Sequence, residues 1–326
     1  MEGENKITAI GVFHKYLRSI ILNHCGANPL KEKLLPQIEE LANKTLQTWS
    51  SHPLVEMKHA ASVKIFDFTA KLFISHDAEN SPMKMSEKFT NILGGFMSFP
   101  LNIPGTTFHK CLKDKEKFLS EDLIINLVFG FLFASFEPIL AALSLTLNLL
   151  ADHPAVLQEL TDEHEAILNN RESPNSILTW DEYKSMTFTH QVINEALRMG
   201  SVAPGLLRKA LKNILFKGYT IPAGWTIMLV NSAIQLNPNT YKDPLAFNPW
   251  RWKDLDSLFV SKNFMPFGGG IRQCVGAEYS KTFLATFLHV LVTKYRWTKV
   301  KGGTIVRNPI LGFTDGLHIK FSAISN

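Results

Sequence analysis

One cysteine in this chain stands in a setting that could do chemistry. The stretch from Phe264 to Gly276 reads Phe-Met-Pro-Phe-Gly-Gly-Gly-Ile-Arg-Gln-Cys-Val-Gly. It sets Phe267, the three glycines Gly268, Gly269 and Gly270, Arg272, Cys274 and Gly276 at short fixed offsets. Consecutive glycines let the backbone take positive φ and remove Cβ atoms from the loop, so that a ligand can lie close to the main chain. Cys274 precedes an apolar run of helical period, and a thiol at a helix start meets free amide groups and the positive dipole end, which favour thiolate. Thiolate is the form in which cysteine holds a metal. Two plainer readings compete. A glycine-rich loop before a helix can cradle phosphate, but no Gly-Lys-Ser/Thr follows and Arg272 precedes the helix. A lone cysteine is commonly buried and inert, which leaves the offsets of Phe267, the glycines and Arg272 without a reason.

Other side chains sit at spacings that matter. Glu195-Ala-Leu-Arg198 puts an acid and a base on one helical face, alone no more than a solvated pair. Phe247-Asn-Pro249-Trp-Arg251-Trp252 follows it and brings a second arginine. Arg18 lies four residues after His14, on periodicity alone a basic face in solvent. Ala134-Ser-Phe-Glu137-Pro138-Ile139 places one carboxylate in the middle of the longest apolar stretch.

Taken in order, these segments resemble the cytochrome P-450 family. The cysteine stretch fits its F-x-x-G-x-R-x-C-x-G loop, Glu195 and Arg198 fit E-x-x-R, and Phe247–Trp252 fits F-x-P-x-R-F/W. The resemblance covers nearly the whole chain from Gly11. It implies a mainly α fold with a small β portion, and one haem domain over residues 1–326. That domain would be shortened by the N-terminal region and by part of the distal lid, since only Cys111–Asp122 separates the Pro100–Gly105 loop region from the central helix. It further implies haem b with Cys274 as axial ligand, on a loop that includes Phe267, Gly268 and Gly276. Arg272, Arg208 and Arg18 with His14 would neutralise the propionates. Glu195, Arg198 and Arg251 would form a structural triad. Glu137 would be the acid of the family's oxygen-binding pattern, with Pro138 and Ile139 standing where that pattern has hydroxyl residues.

The function so implied is a monooxygenase using O2 and electrons from a flavoprotein NADPH reductase. Its substrate would be a lipophilic small molecule, with the plant steroid-, triterpenoid- and brassinosteroid-oxidising members the nearest type. Two alternatives follow from the same residues. One is a haem-thiolate isomerase or peroxide user that needs no hydroxyl at Pro138, and the other is a haem-binding but catalytically impaired paralogue. The family's place is the cytosolic face of the endoplasmic reticulum membrane. Met1–Ile10 has no apolar run preceded by positive charge, so a soluble cytoplasmic form is also open.

The rest of the sequence must position these groups. With 326 residues, 45% hydrophobic and 19% charged, it has ample material for a core. Cys25, Cys111 and Cys274 show no C-x-x-C spacing and leave an odd thiol, so neither a disulfide framework nor a zinc site is indicated. The net charge of +5 is scattered, with no basic block to suggest nucleic acid; it suits an acidic partner or a membrane surface. Helices are expected from Gly11 to near Gly26, over Leu34–Trp49, Val63–Ile74, Met85–Phe99 and Glu121–Ala151, after Pro154, over Asp181–Met199, and from Cys274 to about Tyr295. The long apolar stretch Leu123–Ala151 exceeds the ~20 residues that span a membrane. Asn126, Glu137, Pro138 and Asn148 interrupt it, and a helix buried through a large α domain is the reading adopted. Short antiparallel strands are expected over Ile214–Val230, with turns at Lys217-Gly218 and Pro222–Gly224, and strand again over Ile305–Phe321.

Overall fold

A computed structural model describes residues 2–78, 85–89, 123–173, 176–203, 205–307 and 310–324. Cys111, the Pro100–Gly105 loop and Glu121 lie outside the described residues, as does most of the Met85–Phe99 helix, of which residues 85–89 are helical. The chain is mainly helical, and its contacts gather it into two compact units.

The first unit comprises Met1–Leu46, Leu145–Arg296 and Ala323–Asn326. It contains α1 (Glu2–Cys25) and most of α2 (Leu35–Ser50), with a π-helical segment Leu30–Leu34 between them. The end of α4 (Leu123–Asp152), then α5 (Pro154–Asn169), α6 (Trp180–Ser185), α7 (Thr187–Gly200), α8 (Asn231–Gln235), α9 (Ser257–Asn263) and α10 (Ala277–Lys294) complete its helices. Helix α10 is its centre. Every residue from Thr282 to Val292 is buried, so the helix has no solvent face, and α5, α6 and α7 pack around it.

A single helix was expected over Asp181–Met199, yet the structure breaks it at Met186. The break has a chemical cause. Glu163 of α5 accepts from the amides of Phe188 (2.6 Å) and Thr189 (2.9 Å), satisfying donors that an unbroken helix would turn inward. Thr179 and Glu182 form a reciprocal capping box that starts α6 separately.

Strands β2 (Leu206–Lys209) and β5 (Thr226–Leu229) pair antiparallel, with Arg208 opposite Ile227. Between them β3 (Ile214–Phe216) and β4 (Tyr219–Ile221) form a hairpin. Its turn residues Lys217 and Gly218 both have positive φ (48° and 82°), the geometry that matches strand twist in two-residue hairpins.

The second unit comprises Gln47–Ser144 and Trp297–Ser322. Its helix α3 runs Met57–Ile74, six residues earlier than the apolar period suggested, because the Glu56 side chain accepts from the Lys58 and His59 amides and caps it. Val55–Glu56 is strand β1. It pairs antiparallel with β7 (Leu311–Ala323), Val55 opposite Ile319, and β6 (Tyr295–Arg307) flanks β7 on the other side. Gly302 is required in β6: a Cβ there would collide with the Gly316 carbonyl of β7. Phe66, Phe89 and Phe136 form an aromatic core with ring centroids 5.0–5.8 Å apart.

Among the described residues one segment, Phe129–Asp152 of α4, is long and apolar enough to cross a membrane. Most of its apolar window is buried inside the protein, as a core helix requires.

Candidate functional site

The cysteine loop is a finger closed on itself. The Cys274 amide donates to the Phe267 carbonyl (2.9 Å), the Gln273 amide to Gly270 (3.0 Å), and the Gly268 amide to Met265 (3.1 Å). Two of its glycines, Gly268 and Gly270, hold positive φ (72° and 70°). A Cβ on Gly268 would also press on the Leu206 side chain at 3.0 Å, so β2 packs against the finger there. Helix α10 begins only after Gly276, whose carbonyl accepts from Ser280, so Cys274 sits just ahead of the helix.

Cys274 is an exposed residue, on a loop whose neighbouring Ile271 is 89% exposed. The expectation of a readily ionised thiol needs correction. Surrounding protein desolvates the sulfur and pushes its pKa up; the Gly276 amide and the Arg18 guanidinium oppose this without overcoming it. Cys25 is different. It is buried and its thiol is pushed up to about 12, an inert core residue.

Cations gather around the finger. Arg18 of α1 donates to the Gln273 carbonyl at 2.7 Å. Burial first, then Arg272 and Arg18, push the His14 imidazole pKa down, so these three basic side chains share one region. Arg208 lies two residues from Leu206 on β2, hence on the strand face that meets Gly268, and donates to its own neighbour, the Leu207 carbonyl (2.9 Å). Among the described residues no carboxylate pairs with Arg18, Arg208 or Arg272. Cations without a carboxylate partner beside a cysteine loop suit an anionic ligand.

Elsewhere in the same unit Glu195, Arg198 and Arg251 meet. Glu195 takes two bonds from Arg198 (2.8 and 2.9 Å), one from Arg251 Nε (2.9 Å), one from the Trp252 indole (2.9 Å) and one from the Asn248 amide (3.1 Å). Arg198 is fully buried, donates onward to the Gln235 carbonyl at 2.7 Å, and lies over the Tyr241 ring. The Trp252 donor and the carbonyl acceptors could not be read from motif spacing, since they depend on where the Asn237–Asn248 connection folds.

Glu137 belongs to the second unit. Burial raises its carboxyl pKa, opposed by Lys58. Pro138 lies inside α4, where it cannot donate to the Ala134 carbonyl, and Ile139 is buried. One buried polar cluster escaped sequence reasoning altogether: His164 of α5 and His289 of α10 meet at 2.9 Å between their Nδ1 atoms. Residues 125 apart carry no local signal for such a pair.

The family described as cytochrome P-450 matches residues 29–315. Cucurbitadienol 11-hydroxylase of Siraitia grosvenorii is 52% identical over 97% of this chain and 74% of its own length. Beta-amyrin 16-alpha-hydroxylase of Maesa lanceolata is 45% identical over 98% and 75%, and cholesterol 16,22-dihydroxylase of Trigonella foenum-graecum 34% identical over 96% and 74%. The first alignment runs over 351 residues, more than the 326 present, so that relative carries internal residues without a counterpart here. The fold matches the retinoic acid bound cyanobacterial CYP120A1 with a TM-score of 0.80, covering 95% of this chain and 79% of that one at 22% identity. The chain belongs to the cytochrome P-450 family of haem monooxygenases.

Proposed function

We propose that this chain, as one shortened haem domain, holds haem b through Cys274 and hydroxylates a triterpenoid or sterol. The observation that carries the haem reading is the cysteine finger: an exposed cysteine on a glycine-bent loop, with Arg18 bonded to that loop and no carboxylate of the described residues paired to Arg18, Arg208 or Arg272. The substrate class is supported by the relatives, whose names give cucurbitadienol, beta-amyrin and cholesterol as what they act on. A flavoprotein NADPH reductase is the partner that such chemistry requires, and the cytosolic face of the endoplasmic reticulum membrane or the cytoplasm is where it would meet one.

Haem, when bound, supplies the activation of O2 that converts C–H to C–OH, with two electrons and two protons taking the second oxygen to water. The protein's own residues set the conditions. The Cys274 thiol, pushed up by burial, would hold the iron only as thiolate, and Arg18 and the Gly276 amide would stabilise that sulfur charge. Arg18, Arg272, Arg208 and His14 would bind the two propionates, a charge-assisted set for which Arg is suited. Glu137, with its pKa raised by burial, keeps a proton to higher pH than a surface carboxyl, as the acid of the family's oxygen-binding pattern would need.

Pro138 and Ile139 favour a second reading, in which haem binds but reductase-driven turnover is weak or peroxide serves as oxidant, since neither side chain can relay a proton. One set of measurements tests both. The reduced protein with carbon monoxide is expected to give a thiolate-type spectrum that Cys274→Ala loses and Cys25→Ala and Cys111→Ala keep. Reconstitution with a plant reductase and a panel of triterpenoids and sterols should then give a hydroxylated product by mass. A thiolate spectrum that persists in Cys274→Ala overturns the ligand assignment, and a spectrum without product favours the second reading.

A further inference from the structure

The cysteine finger begins with a turn that is held at both ends. The Met265 carbonyl accepts from the Gly268 amide (3.1 Å), closing a four-residue turn with Pro266 at its second position, where the fixed φ of proline suits such turns. A second donor reaches the same carbonyl, Nδ2 of Asn231 at 3.2 Å. Asn231 is buried and is the first residue of α8. One residue separates it from β5, and β5 pairs with β2, Leu229 opposite Leu206. That same Leu206 side chain lies against Gly268. The ribbon therefore meets the turn at Gly268, and the helix start that follows it meets the turn at Met265.

What the turn carries is the support of the cysteine. Its third residue is Phe267, whose carbonyl accepts from the Cys274 amide at 2.9 Å. Contacts thus run from Asn231 to Met265, through the turn to Phe267, and across one backbone bond to the residue that bears the sulfur. The other end of α8 is also fixed, because fully buried Arg198 donates to the Gln235 carbonyl at 2.7 Å. A five-residue helix pinned at its last residue gives Asn231 a defined place from which to donate. Arg18 reaches the finger's far end at Gln273, but brings a charge with it. Asn231 is neutral, so its bond acts on geometry alone.

We propose that Asn231 is a positioning residue for Cys274: its side-chain amide holds the Met265 carbonyl, and so sets the turn that orients the Cys274 amide and the sulfur beyond it. The consequence for a sulfur ligand rests on the haem reading above, whereas the effect on the loop does not.

Asn231→Asp tests it with little change of shape. An acid suits a helix start, and at about pH 8, well above the ordinary carboxyl range, it presents an acceptor to an acceptor. Asn231→Leu, of similar size and without a polar atom, is a second route to the same loss. Hydrogen exchange of the Gly268 and Cys274 amides in the full chain is expected to quicken about two- to tenfold, as loss of one neutral hydrogen bond implies. In haem-loaded protein the thiolate-type carbon monoxide spectrum should be lost faster by a similar factor. Gln235→Ala is the control, since it opens a cavity at the other end of α8 and leaves the Met265 bond in place; exchange at Cys274 and spectral lifetime should stay near the parent's. Unchanged exchange at Cys274 in both Asn231 variants overturns the proposal. So does equal loosening by Gln235→Ala, which would make the effect one of general stability, and so does quickened exchange with the parent's spectral lifetime. Quickened exchange in a chain whose parent gives no thiolate-type spectrum supports the hold on the loop and overturns the haem reading instead.

Discussion

Two groups of arginines in this protein differ in one respect. Around Glu195 every charge is answered: the carboxylate takes five bonds, and both arginines spend their remaining donors on backbone carbonyls. Around Cys274 the cations Arg18, Arg208 and Arg272 have carbonyls or solvent but no carboxylate among the described residues. A buried network that satisfies itself has nothing left to bind with. It holds the helix–loop junction in one arrangement. A half-exposed cationic set with its charge uncompensated is placed for an anionic ligand. Both groups would look like scattered basic residues in a composition table; the partner of each guanidinium separates structure from site.

The largest effect is expected in the satisfied group. Arg251→Leu strands part of the Glu195 charge in a buried site, a change that costs ~3 to 5 kcal/mol, enough to consume much of an ordinary domain's stability. The expected outcome is aggregated or haem-free protein, read from soluble yield and urea unfolding. Arg272→Leu, an exposed arginine of the other group, should leave the unfolding midpoint near the parent's. If the two variants unfold alike, the division drawn between the groups is wrong.

The buried histidines offer a third case, in which ionisable groups are kept neutral. Thr189 Oγ1 gives its hydrogen to Glu163 (2.5 Å), so His164 Nε2, at 3.0 Å, must donate to that oxygen. His164 Nδ1 is then an acceptor, and His289 Nδ1 carries the hydrogen between them. Burial, reinforced by Arg171 and Lys294 and opposed by Glu182, lowers His289 to about 4, and burial and His289 lower His164 as well. Both shifts have the same sign. Between pH 6.5 and 4 the unfolded chain binds a proton that the folded His289 refuses, so stability falls as pH falls across that window, and the lowered His164 adds to the loss in the same direction. From His289 alone the loss is about 3 kcal/mol. Urea unfolding at pH 7.5 and pH 4.5 should show it, and a His164→Phe, His289→Leu double variant should lose most of the difference. A parent whose stability is flat over this range would mean that the pair is not buried together.

Replacing Arg18 should act on the ligand and spare the fold. Arg18→Gln removes one charge-assisted contact at a partly exposed position, worth about 1 to 2 kcal/mol. Haem is expected to pass to apomyoglobin about five- to thirtyfold faster, with thermal unfolding of the haem-free chain unchanged. An unchanged transfer rate would take Arg18 out of the binding set.

Much of this was legible in the sequence wherever a signal is local. The glycines and Cys274 mark the finger because positive φ and a thiol are properties of single residues, and E-x-x-R marks one helical face. What stayed hidden is what tertiary contact decides. The break at Met186 comes from Glu163, more than twenty residues earlier in the chain, and the His164–His289 contact joins helices far apart in sequence. Strand β6 was missed because helical periodicity in α10 runs directly into it, with no glycine or proline to announce the change at Tyr295. The raised Cys274 pKa was missed for a different reason: dipole and cation effects can be anticipated from a motif, whereas desolvation depends on atoms the motif does not contain.

The smallest expected effect concerns α4. A proline in a helix interior removes one backbone bond and ordinarily costs ~3 kcal/mol or more; α4 nonetheless runs unbroken through Pro138, with Leu132, Phe136, Ile139 and Leu140 buried around it. Packing of an apolar face holds the helix, so restoring an N–H should add little to measured stability. Coupling is a better place to look. Pro138→Thr with Ile139→Thr adds two hydroxyls beside Glu137, whose raised pKa already keeps a proton there. If that carboxyl lacks only a relay, the double variant should raise the ratio of product formed to NADPH consumed by a few fold, with substrate affinity and the carbon monoxide spectrum unchanged. Tight coupling in the parent would show that the relay does not need these side chains. An unchanged ratio in a variant that still binds substrate would show that the shortened chain is limited elsewhere.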